Sequence, residues 1–222
     1  MLKIWIEQIK NKPDHYGVDY WKYNVSGNIL ELYVQKEYLE HEHEYRKAVI
    51  SIGKVLQALR HKLTDKGHQY HIQTFPNLDN SALIAAVRIL SKSPDNNSIT
   101  GPDSDITIQD EKLLQVSLES FARANQLTLH EIKSSDLSDV VIPAPDSNLN
   151  WFALCANNNN PFIWLRVGYW QEYMSCLETR LQTGLLVVTD TTICSNRLIL
   201  CSSVSNRFVQ LLLGIPKEVT AG

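Results

Sequence analysis

The feature that most constrains the fold of this chain is residues 44–67, EYRKAVISIGKVLQALRHKLTDKG. Val49, Ile52, Leu56, Leu59 and Leu63 recur at alternating spacings of three and four, which places them on one stripe of a helix. Arg46, Lys47, Lys54, Arg60, Lys62 and Lys66 lie largely off that stripe. Gly67 follows the last apolar turn, where a left-handed cap costs glycine nothing sterically. The helix then runs straight into residues 71–75. The pattern predicts a helix that covers one face of a sheet.

The chain has 222 residues, enough for one large domain or two small ones with a sizeable core. Its 44% hydrophobic and 20% charged residues are an ordinary globular balance. A formal charge of -3 supplies no basic field, so nucleic acid is not an implied partner. No apolar run approaches the ~18–20 residues that span a bilayer, so no membrane association is expected. The first residues, MLKIWIEQIKNKPD, carry charges inside their only apolar patch and do not read as a signal peptide. Cys155, Cys176, Cys194 and Cys201 are scattered with no C-x-x-C pair. That spacing suits reduced thiols in a cytoplasmic protein and offers no zinc site.

Taken in order, Leu2, Ile4, Trp5, Ile6 and Ile9 fit either a short amphipathic helix or a strand. Residues 20–25 and 29–34 read as a hairpin around Ser26-Gly27-Asn28, because Gly and Asn tolerate the positive φ of a tight turn. In the second arm Leu30, Leu32 and Val34 alternate with Ile29, Glu31, Tyr33 and Gln35, and face the core. Residues 71–75 form a strand closed by Pro76. Residues 82–90 (ALIAAVRIL) read as a strand, although the alanines favour helix locally. The polar stretch 91–105 (SKSPDNNSITGPDSD) is the one clear boundary. It separates an N-terminal half, 1–92, from a C-terminal half, 107–222, through a linker at 93–106, the halves together making one compact unit. Beyond it, helices are expected at 107–126, 163–183 and 195–204. Strands are expected at 151–156 and 207–213, with a short strand or extended segment at 185–188. No internal repeat is visible.

Chemical motifs are scarce. The glycines are too scattered for a G-x-G-x-x-G turn or a phosphate loop, and no G-x-S-x-G elbow occurs. His41-Glu42-His43-Glu44 lacks the i, i+4 histidines of a helical zinc site, because position 45 is Tyr. It reads as an acidic first turn favoured by the helix dipole. Cys155 reads as a small core residue. Ser51 reads as a small residue at a helix–sheet contact. His71 and His130 fall at strand or loop edges, where acid or base roles stay open. Trp151, Trp164 and Trp170 flank the third helix and read as packing residues.

The order and spacing of several segments resemble the Acg-like branch of the nitroreductase-type FMN-binding family. The hairpin YWKYNVSGNILELYV leads through a charged linker to an R-x-x-x-I-S-x-G helix start, here Arg46 to Gly53. The helix closes with Gly67. A strand ending in Phe75-Pro76 and an L-I-A-A-V-R-I strand follow. Later come WFALCA, then Trp164-Leu165-Arg166-Val167-Gly168, a long helix ending in Gly184-Leu185, and a last strand leading to Leu213-Gly214-Ile215-Pro216. These segments cover about two-thirds of the chain.

The resemblance implies an α/β (α+β) fold with a mostly antiparallel sheet flanked by helices. It implies FMN as cofactor, NAD(P)H as hydride donor and a small-molecule acceptor. It also implies association as a homodimer. The chain departs from the family where the flavin is held. Of the N-terminal flavin-cradling pattern only Trp21 is kept, and the segment matching the Arg-rich phosphate loop is SKSPDNN, which has no arginine. The cations left for a flavin phosphate are Lys92, Arg197 and Arg207. The alternative to an oxidoreductase is a degenerate, non-catalytic relative that sequesters flavin or binds a protein partner.

Overall fold

The computed structural model describes residues 2–11, 19–92, 111–133, 148–181, 186–188 and 207–217. By contact the chain divides into two compact units, Met1–Asp105 and Ile106–Gly222. Each is described by itself.

The first unit runs α1 (Leu2–Lys10), β1 (Trp21–Ser26), β2 (Ile29–Val34), α2 (Glu42–Asp65), β3 (His68–Thr74) and β4 (Leu83–Lys92), with a 3-10 turn at Lys36–Tyr38. Its strands form one sheet in the order β1-β2-β4-β3, with every neighbouring pair antiparallel. The hairpin closes at Ser26 opposite Ile29, and Gly27 takes the positive φ of 58° that the tight turn needs. Leu30, Leu32 and Val34 are fully buried, while Ile29, Glu31 and Tyr33 between them are half-buried. This is the alternation of a sheet with one covered and one open face.

The stripe of α2 supplies the cover. Val49, Ile52, Leu56, Leu59 and Leu63 are all fully buried. After the helix, Gly67 sits at φ 67°, and its N–H donates to the Thr64 carbonyl at 2.9 Å. The segment that admitted either a helix or a strand at the N-terminus is the helix α1, which buries Leu2, Ile6 and Ile9. It is tied to its neighbours by polar contacts: Tyr23 O–H donates to the Glu7 carboxylate, and Lys62 Nζ donates to Gln8 Oε1. The segment expected as a strand at 82–90 is the strand β4, Leu83–Lys92. Tertiary pairing overrides the helix preference of the alanines: Ala85 lies opposite Leu32 and Thr74, and Val87 opposite Leu30 and Ile72.

The second unit runs α3 (Glu111–Ala124), β5 (Thr128–Ile132), β6 (Leu149–Ala156), α4 (Pro161–Leu181), β7 (Leu186–Val188) and β8 (Phe208–Pro216). Its sheet, in the order β5-β6-β8-β7, is again antiparallel throughout. Here the central strands do not alternate. Residues 151–156 of β6 and 209–215 of β8 are all buried. Near-continuous apolar runs such as WFALCA and VQLLLGI suit strands covered on both faces. The helix α4 starts at Pro161, with Asn160 as its N-cap: Asn160 Oδ1 accepts from the Ile163 N–H at 3.1 Å, and Pro occupies the first helical position.

Three sequence expectations need correction. The strand β5 was not expected at all. The strand β8 does not stop before Gly214 but continues through it to Pro216, with Gly214 opposite Trp151. A Cβ at Gly214 would stand 2.9 Å from Leu149 Cδ1 and 3.4 Å from the Trp151 ring, so this glycine makes room for a neighbour rather than ending a strand. Finally, although the sequence shows no repeat, the topology does. Both units read helix, hairpin-paired strands, helix, two strands, and in both the last strand lies second from the edge. The helix expected at 195–204 lies outside the described residues.

If α2 holds the first unit together through its stripe, Leu56→Ala lowers the unfolding free energy by about 2–5 kcal/mol. Lys47→Ala on the exposed side changes it by no more than about 0.5 kcal/mol. Urea denaturation of the two variants measures the difference. Equal midpoints would refute the packing assignment.

Candidate functional site

A charged cluster in the second unit joins β5 to the residue that enters β8. Arg207 is the residue immediately before β8, whose first residue Phe208 pairs with Ala156. In the next strand over, Thr128 pairs with Cys155. From this position the Arg207 side chain reaches past β6 to β5. Its Nη1 donates to Thr128 Oγ1 at 2.7 Å and to His130 Nε2 at 2.8 Å. Thr128 and His130 are two residues apart on one strand, so period-two geometry puts both side chains on the same face. They also contact each other, Oγ1 to Nε2, at 3.1 Å.

Two consequences follow from the hydrogen-bond chemistry. A guanidinium has only donors, so His130 Nε2 must be the acceptor, and the ring is neutral with its proton on Nδ1. In agreement, His130 is held below the ordinary histidine value of 6.5, first by burial and second by the Arg207 charge. Secondly, both acceptors used by Nη1 are neutral, and among the described residues no carboxylate pairs with Arg207. Among the described residues, the positive charge of this half-buried arginine has no carboxylate counterpart.

Cys155 lies beside this cluster. It is fully buried, and burial pushes its thiol up to about 12 against the opposing pull of Arg207. The expectation that it is a small core residue holds. His71 is exposed on β3, and Ser51 is buried within α2. Trp151 and Trp170 are buried packing residues, and the Trp170 Nε1–H points at the Leu118 carbonyl, 3.3 Å away. The second helix of each unit also buries a glutamine, Gln57 in α2 and Gln171 in α4. The side-chain oxygen of each has no hydrogen-bond partner among the described residues.

The residues expected from sequence to hold a cofactor fall in different places. Arg207 is at the cluster just described. Trp21 begins β1 and is only 1% exposed, among the buried residues of the first unit. Lys92 ends β4, where its backbone pairs with His68. Arg197 lies outside the described residues. Thr128 and His130 were not connected with Arg207 by sequence reasoning. The alternation in T-L-H-E-I was the available signal, and it is only five residues long. Among the described residues no group of three or more His, Cys, Asp or Glu is placed to hold a metal ion. No described helix is long and apolar enough to cross a membrane. No protein-family model matches the chain, and no curated protein matches it in sequence.

Two measurements check this geometry. With a thiol shifted to about 12, roughly one Cys155 in ten thousand is ionised at pH 8. The native protein should therefore leave Cys155 unalkylated by iodoacetamide, and urea should expose it; peptide mass mapping that finds native Cys155 modified would refute its burial. For His130, the lowered folded-state value means that the unfolded chain binds the proton more readily. Its contribution to stability is present above pH 6.5 and is lost as pH falls toward the folded value. His130→Gln keeps an acceptor for Arg207 but cannot titrate. The stability of wild type relative to this variant should fall between pH 7.5 and pH 5.5. A constant difference would contradict the assigned neutral ring.

Proposed function

We propose that this chain is a nitroreductase-like flavoprotein: an FMN-dependent NAD(P)H oxidoreductase acting on a small-molecule acceptor. The reading rests on the ordered segments of the family resemblance. The observation that carries it furthest is Arg207, a cation with no carboxylate partner among the described residues. A flavin phosphate carries nearly two negative charges and needs donors of this kind. Of Lys92, Arg197 and Arg207, Arg207 is the one whose described side chain meets that need. FMN, when bound, would supply the redox chemistry with hydride from a nicotinamide, and Arg207 would hold its phosphate. Family membership, cytoplasmic location and assembly as a homodimer belong to the same reading, which takes fold analogy as its warrant.

A second reading is favoured by the residues at 91–97. Ser91-Lys92-Ser93-Pro94-Asp95-Asn96-Asn97 has one lysine and an aspartate where the family's phosphate loop carries arginines. The chain would then be a non-catalytic relative that holds flavin without turnover, or acts through a protein partner.

The purified protein should be yellow or should bind added FMN saturably, with quenching of flavin fluorescence. Arg207→Ala should weaken that binding about ten- to a hundredfold, the equivalent of ~1.5–3 kcal/mol for a charged hydrogen bond. NADPH oxidation with menadione or a nitroaromatic acceptor separates the two readings. A protein that ignores FMN altogether would sink the first.

A further inference from the structure

We draw no further inference here: the strongest candidate, the open face of the first unit's sheet with its exposed Lys22, His71 and Arg88, carries nothing, because nothing among the described residues shows what would dock on it.

Discussion

Each unit depends on how its last strand is paired. In the first, β2 and β3 are both antiparallel to β4, so they run parallel to each other with one strand's width between them. A parallel pair needs a long crossover, and α2 supplies it. The gap it leaves exposes the inner backbone edges of β2 and β3, whose N–H and C=O groups must find partners. The strand β4 satisfies both edges at once. In the second unit β8 does the same between β6 and β7, after the crossover of α4. Two chain segments with no visible sequence similarity thus meet one constraint with one solution, a split β-α-β closed by the final strand.

What differs between the units is burial. The first unit's sheet has an open face on which Lys22, Asn24, His71, Gln73 and Arg88 are exposed, and its β2 alternates accordingly. In the second unit residues 151–156 of β6 and 209–215 of β8 are buried on both faces, and α4 is buried through most of residues 163–174. The closing strand also sets up the candidate site. Because β8 is inserted beside β6, the residue that enters it, Arg207, is carried to within reach of β5. Moving that strand by one register position would turn its side chains to the opposite face.

Much of this was readable from the residues alone. The stripe of α2, the hairpin around Gly27 and the strand WFALCA each had a strong local signal that agreed with the tertiary demand. The parts that were not readable had weak or conflicting signals. The strand β5 is five residues long, and its only apolar positions are Leu129 and Ile132. Gly214 looks like a strand breaker, and only the Leu149 and Trp151 side chains beside it explain why a glycine stands inside the strand. The cap at Asn160 was hidden in a run of four asparagines. The site itself is non-local: Thr128 and Arg207 are 79 residues apart and meet only through the strand order. No spacing in the sequence encodes that meeting, so Arg207 could be singled out by charge but its partners could not.

Native-state hydrogen exchange tests most directly whether the closing strands hold the two units together. The slowest amides of the first unit should lie in residues 84–89 of β4, and those of the second in residues 209–215 of β8, each slower than the edge strands β1 and β5 beside them. If β4 or β8 exchanged as fast as the edge strands, the closing strand could not be what holds its unit together, and the placement of Arg207 against β5 would lose its structural basis.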